Sequence, residues 1–258
     1  MRIISLCVDG IHQAAQRGLY EWLATQDADI ICLQDLRALE PELDHDIFHP
    51  KGYFAYFFDS GVKHYNGVAI YTRHQPKALI YGLGFSSGVD MEGRYLQIDY
   101  EGYSIGSLLA PQAFSETESM DVKDQFFDDM QALLHKITRK RRSFILCGNW
   151  GMAHAAKDVE NSSLHEGRSG FLEHEQKWMD QLFRQLGYAD AFRQFVPDGG
   201  EYSWAPDDGQ DAMRIDYHVV SSRLSRRIEN AAIYKTQSFS SHRPVIVDYD
   251  IDDLVEEY

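Results

Sequence analysis

The sequence predicts an α/β fold in which two β-sheets pack face to face and helices cover their outer faces. Three observations carry this. Short β-type runs recur from one end of the chain to the other, only three helical stretches separate them, and no long polar or Pro/Gly-rich linker interrupts the 258 residues. Many strands with few helices between them favour two packed sheets over a doubly wound parallel sheet. A chain of this length without a linker suits one domain, residues 1–258, around one large core.

The first β-run, residues 2–8, follows Met1 directly. A helical stretch at 13–25 places Ala14, Leu19, Trp22 and Leu23 on one face. Runs at 29–34, 53–58, 67–73, 77–82, 94–100 and 103–109 are strand-sized. From about 116 to 139, Met120, Phe126, Phe127, Met130, Leu133, Leu134 and Ile137 keep the spacing of an amphipathic helix. The apolar run 143–148 is followed by a helix at 173–186, with Gly187 at its C-cap. Runs at 214–220, 231–235 and 244–249 complete the set. Residues 40–52, 59–66, 155–170 and 197–211 read as loops, and the acidic end 248–257 as a solvated tail.

Composition narrows the function. With 44% hydrophobic and 25% charged residues the chain is of ordinary globular type. Its apolar runs are too short to cross a bilayer, and its start lacks the apolar stretch of a signal peptide, so no membrane association and a cytoplasmic location are expected. Cys7, Cys32 and Cys147 are odd in number and lack CxxC spacing, which reads as buried thiols rather than a zinc site. The formal charge of −15 argues against coating nucleic acid by net electrostatics, so little nucleic-acid binding by the chain alone is expected. The one concentrated basic run, Arg139-Lys140-Arg141-Arg142, closes a helix. There it complements the helix dipole, or forms a patch for RNA or a partner.

The chemistry-bearing signal is Phe144-Ile145-Leu146-Cys147 delivering Gly148-Asn149-Trp150-Gly151-Met152-Ala153-His154. Asp29-Ile30-Ile31-Cys32-Leu33-Gln34-Asp35 and Asn66-Gly67-Val68 precede it, and Tyr202-Ser203-Trp204, Arg214-Ile215-Asp216-Tyr217 and Ser241-His242-Arg243-Pro244 follow. In this order, over nearly the whole chain, these segments resemble the exonuclease III and abasic-site endonuclease family, of the endonuclease/exonuclease/phosphatase (DNase I-like) type. The resemblance implies the two-sheet sandwich and a phosphodiesterase centre: a divalent ion held by carboxylates, a base to activate water, and donors for the charge on phosphorus.

Carried over position by position, the resemblance implies a depleted centre. The first-strand Asn is Cys7, the metal-binding Glu is Asp35, the Tyr is Leu109, the water-activating Asp is Asn149, and the phosphate-positioning Asn is Gly151. The final Asp-His pair is Ser241-His242, which takes a carboxylate away from the histidine. Asp35, Asp216 and His242 remain, with Asp35 the metal ligand if any. A thiol is a poor ligand for Mg²⁺. Loss of a general base costs about 10²- to 10⁴-fold, and loss of the carboxylate orienting a histidine about 10⁴-fold. Asp216 and His242 also read as ordinary hydrogen-bonded groups, and His154, Asp158 and Asn161 as residues that shape their loop.

Gln34-Asp35-Leu36-Arg37-Ala38, Gly93-Arg94-Tyr95-Leu96-Gln97 and Leu108-Leu109-Ala110-Pro111 resemble the catabolite repression control (Crc-like) branch of that family, with Cys7 and Asp9 where the branch has Asn. That resemblance implies a pseudo-nuclease without cofactor that supports the RNA chaperone Hfq in repressing translation of A-rich mRNAs. The alternative is a divergent Mg²⁺- or Mn²⁺-dependent exodeoxyribonuclease or abasic-site endonuclease acting through Asp35, Asp216 and His242. A phosphodiesterase or lipid phosphatase of the same superfamily is a third option and needs the same missing groups.

Overall fold

Apolar residues occupy successive positions in most of the β-runs, so both faces of each strand must be covered. The computed structural model describes residues 1–113, 119–140, 142–206 and 211–251. In chain order the strands are β1 (Arg2–Cys7), β2 (Ile30–Gln34), β3 (Phe54–Phe58), β4 (Val68–Thr72), β5 (Ala78–Tyr81), β6 (Tyr95–Asp99), β7 (Tyr103–Leu109), β8 (Ser143–Asn149), β9 (Tyr188–Asp190), β10 (Asp216–Ser221), β11 (Ile228–Ile233) and β12 (Val245–Tyr249). They form two six-stranded sheets, β11-β12-β1-β2-β4-β3 and β5-β6-β7-β8-β10-β9. The helices are α1 (Ile11–Gln16), α2 (Leu19–Leu23), α3 (Met120–Ile137), α4 (Ser162–His165), α5 (Glu173–Arg184) and α6 (Ala191–Phe195).

Three apolar layers follow from the alternation of side chains. Ile3, Ile30, Cys32, Ile70, Ile105, Ile145 and Cys147 fill the space between the sheets. Ile4, Leu6, Ile31 and Leu33 point the other way, onto Ala14, Leu19 and Trp22. On the outer face of the second sheet, Leu108, Leu146 and Val219 meet Phe126, Met130 and Leu134 of α3 and Trp178 and Leu182 of α5. This is the expected sandwich with helices outside, and each such buried aliphatic side chain contributes about 1.5–3 kcal/mol.

The site is set by register. In the first sheet β1 and β2 run parallel with Cys7 opposite Gln34, and the ladder continues beyond them, Val8 N–H to Gln34 O at 2.8 Å and Gly10 N–H to Asp35 O at 2.9 Å. In the second sheet Leu109 lies opposite Asn149 and Asn149 opposite Asp216. A short bridge between Trp204 and His242 joins the last segments. Residues far apart in sequence therefore end their strands at one edge of the sandwich.

Several expectations change. The stretch 13–25 is two helices, because Gly18 between them takes a left-handed φ of 85°. β9 is a three-residue strand that periodicity did not reveal. Of the basic run, Arg142 spends its guanidinium on the carbonyls of Tyr100 and Tyr103, both at 2.8 Å. Arg139 contacts His135 one turn back in α3, at 3.1 Å, and Lys140 follows the helix. The run precedes Ser143, at the opposite end of β8 from Asn149, roughly 20 Å away by strand rise. Arg141 lies outside the described residues, as do residues 116–118, 207–210 and 252–257 of the stretches read above. Among the described residues no helix is long and apolar enough to cross a membrane.

Candidate active site

The converging strand ends enclose a cleft of about 420 Å³ whose lining includes Cys7, Asp9, Asp35, Arg37, Leu109, Gln112, Asn149, Ser241 and His242. Asp216 stands directly behind His242. Of the residues singled out in the sequence, Gly151 is set back from the lining, and the basic run does not reach the cleft.

The structure corrects one reading outright: His242 has not lost its carboxylate. Its Nδ1 is 2.8 Å from Asp216 Oδ2, and both residues are buried. Ser203 Oγ donates to the same carboxylate oxygen at 2.7 Å and accepts from the amides of Ile215 and Asp216, both at 3.1 Å. Burial alone would lower the imidazole pKa, but the Asp216 charge outweighs it and raises it well above its ordinary value. Cys7 beside it is pushed up to about 11 by burial, so its thiol is uncharged at neutral pH.

Asn149 stands where the resemblance places the water-activating acid. Its Oδ1 accepts from Gly151 N–H at 2.8 Å and from Gln112 Nε2 at 3.2 Å. An amide held this way positions groups and takes no proton from water. A β-carbon on Gly151 would stand 2.8 Å from the Gln112 amide, so Gln112 has taken the room of the expected Asn side chain. The loop is fixed from below by Lys123 of α3, whose Nζ donates to Gly151 O at 2.8 Å and pairs with Glu175 of α5 at 2.6 Å.

Two carboxylates face the cleft. Ser241 Oγ and N–H donate to Asp9 Oδ2 at 2.5 and 3.0 Å, so the residue that replaces an acid at 241 orients one at 9. Arg37 bridges Asp35 at 2.6 Å and Asp9 at 3.5 Å. Burial outweighs Arg37 and raises the Asp35 pKa. At Asp9 burial also acts upward, but His242, Ser241 and Arg37 together hold the carboxyl below its usual range. Asp9, Asp35 and Arg37 all sit at left-handed φ, 51°, 57° and 51°, and such strain clusters where side chains are held for a task.

Mg²⁺ is held by one or two carboxylates and keeps several waters, so Asp9 and Asp35 are the groups here that would hold it. Asp9 and Asp35 already share a guanidinium, and the groups converging beside them are the Cys7 sulfur and the His242 ring. Local positive charge comes from Arg37 and Arg94 on the cleft wall, and a phenol from Tyr65, whose hydroxyl lies 3.0 Å from Arg94 Nη2. Asp9, Gln112 and Tyr65 were not singled out as site residues from the sequence. Behind the site, buried Asp158 binds Arg193 at 2.5 Å and Arg214 at 2.8 Å, and Arg214 reaches Asp190 at 2.6 Å, fixing the entry to β10.

Comparison with known proteins gives these observations a family. Residues 11–231 match the Endonuclease/Exonuclease/phosphatase family. The chain is 30% identical over 252 residues to the Exodeoxyribonuclease of Bacillus subtilis (strain 168), covering 95% of this chain and 98% of that protein. It is 29% identical over 260 residues to the DNA-(apurinic or apyrimidinic site) endonuclease of Dictyostelium discoideum, covering 97% and 71%. The solved structure of an AP endonuclease from Archaeoglobus fulgidus shares the fold, with a TM-score of 0.86 at 22% identity over 97% of this chain and 100% of that one. These nuclease relatives overturn the expectation of a Crc-like regulator acting with Hfq on A-rich mRNA. The stretches 34–38, 93–97 and 108–111 that suggested it fall inside the segment matched by the family as a whole. The chain belongs to the endonuclease/exonuclease/phosphatase family.

Proposed function

We propose that this chain acts on the phosphodiester backbone of DNA as an attenuated nuclease of the exodeoxyribonuclease and AP endonuclease kind. The observation that carries the reading is the buried His242–Asp216 pair, 2.8 Å apart, at the wall of a cleft that also presents Asp9 and Asp35. Held as imidazolium by Asp216, His242 is a preorganised donor for a phosphate oxygen on which charge develops. Arg37 and Arg94 supply the local positive charge that a chain of net charge −15 otherwise lacks. Asn149 contributes positioning but no base, which sets the rate about 10²- to 10⁴-fold below that of a centre with a carboxylate there.

A second reading, a protein that holds DNA phosphates without cutting them, is favoured by the commitment of Asn149 Oδ1 to Gly151 and Gln112. Duplex DNA carrying one abasic site, incubated with the purified chain in Mg²⁺, Mn²⁺ or Zn²⁺, separates the two. Slow cleavage that His242→Ala removes supports the nuclease. Binding without cleavage in every ion selects the second reading, and cleavage indifferent to His242→Ala contradicts the proposed role of the pair.

A further inference from the structure

The converging donors in the cleft are sulfur, nitrogen and oxygen rather than oxygen alone. The Cys7 sulfur, an Asp9 carboxylate oxygen and a His242 ring nitrogen all lie within 4.8 Å of one another. We propose that Cys7, Asp9 and His242 form a three-ligand binding site for Zn²⁺, with the fourth coordination position open to the cleft.

Spacing, ligand chemistry and surroundings support the assignment independently. In a tetrahedral Zn²⁺ shell with bonds of about 2.0–2.3 Å, ligand atoms stand roughly 3.3–3.6 Å apart, so closing on the ion asks for movements of about 1 Å. Thiolate with imidazole selects Zn²⁺-class ions, whereas Mg²⁺ takes oxygen donors. Three protein ligands with one open position is the arrangement of zinc sites that bind an exchangeable group.

Each ligand is also held from behind. His242 turns its Nδ1 to Asp216 at 2.8 Å, the carboxylate–histidine arrangement that fixes a metal-binding imidazole with its other nitrogen forward. Asp9 Oδ2 is held by both the hydroxyl and the amide of Ser241, at 2.5 and 3.0 Å. The carbonyl of Cys7 accepts from Ser240 Oγ at 2.6 Å, anchoring the end of β1 to the segment that carries His242. Cys7 thus has a role that the sequence, showing three scattered cysteines without CxxC spacing, did not disclose. The inference stands on the donor set and goes beyond the proposed activity: Zn²⁺ takes the His242 nitrogen that carries the donated proton in the metal-free chain, so a Zn²⁺-loaded centre gives up that donor, and metal binding is tested apart from DNA cutting.

The test needs no DNA, so its failure is separate from failure of the nuclease reading. The full chain is freed of metal with a chelator, then titrated with Co²⁺ as a spectroscopic stand-in and with Zn²⁺ under equilibrium dialysis. One Zn²⁺ per chain and a near-ultraviolet thiolate-to-Co²⁺ charge-transfer band are expected. Cys7→Ser should remove the band while Cys32→Ser keeps it, and Asp216→Asn should weaken Zn²⁺ binding by about 10- to 100-fold through the orienting contact. Circular dichroism of each variant separates metal loss from unfolding. Absence of the band or of stoichiometric Zn²⁺ in the unaltered chain overturns the site whatever the variants do, as does a band that survives Cys7→Ser.

Discussion

Exchanging one carboxylate oxygen for an amide nitrogen, as at Asn149, leaves shape almost untouched and removes a base. Asp216 offers the converse experiment, because an amide there can still accept from Ser203 but no longer holds a charge against His242. Asp216→Asn should therefore slow cleavage by about 10³- to 10⁴-fold in single-turnover assays run where circular dichroism shows the variant folded; unchanged cleavage would take the pair out of the chemistry. The substituted positions 7, 35, 109, 149, 151 and 241 could be named from the sequence because each falls inside an ordered motif. The partner of His242 could not. It lies 26 residues away, brought close by the Trp204–His242 bridge and the start of β10, so looking to the neighbouring position 241 for a carboxylate missed it. Asp9, Gln112 and Tyr65 escaped for a similar reason: each enters the cleft from outside a helix or strand, where no periodicity marks a side chain's direction.

At the scale of single elements, apolar spacing announced α3 and its buried face, yet Lys123 sits on that face with no exposure. Tertiary packing explains it, since Glu175 of α5 meets the ammonium at 2.6 Å and the Gly151 carbonyl accepts from it at 2.8 Å. Removing one partner leaves the other charged and buried, so Lys123→Met should destabilise the chain by about 3–5 kcal/mol in urea unfolding. A loss within a few tenths of a kcal/mol would mean the pair is not buried in solution. Gly18 shows a finer limit of pattern reading. The apolar face of residues 13–25 continues through it, but its left-handed φ of 85° divides the stretch into α1 and α2. Gly18→Ala should cost about 1–2 kcal/mol by the same measurement. Helical periodicity registers the apolar face and is blind to a single reversed dihedral.

Across the whole molecule the two-sheet sandwich was legible because strand-sized apolar runs outnumber helices, while the inter-sheet contacts were not. His218 on β10 and Tyr249 on β12 stack between the sheets, ring centroids 6.4 Å apart, with the tyrosine hydroxyl 3.1 Å from Nδ1. Burial pulls the His218 pKa down to about 3. The unfolded chain titrates near 6.5, so between those values it binds one more proton than the folded chain. This contribution is fully present above pH 6.5 and is lost as the pH falls toward 3, with roughly 2 kcal/mol gone between pH 7 and pH 5. Urea unfolding at the two pH values should show that loss, and His218→Phe should flatten it; equal stability of the unaltered chain at both would contradict the assignment. Retention of a DNA-directed phosphodiesterase site that the amide at Asn149 slows is tested by single-turnover cleavage of an abasic-site duplex with the unaltered chain and Asn149→Asp side by side. Slow cutting by the first and a rate about 10²- to 10⁴-fold higher for the second are expected. Equal rates, or no cutting by either while both remain folded and bind the duplex, would contradict it.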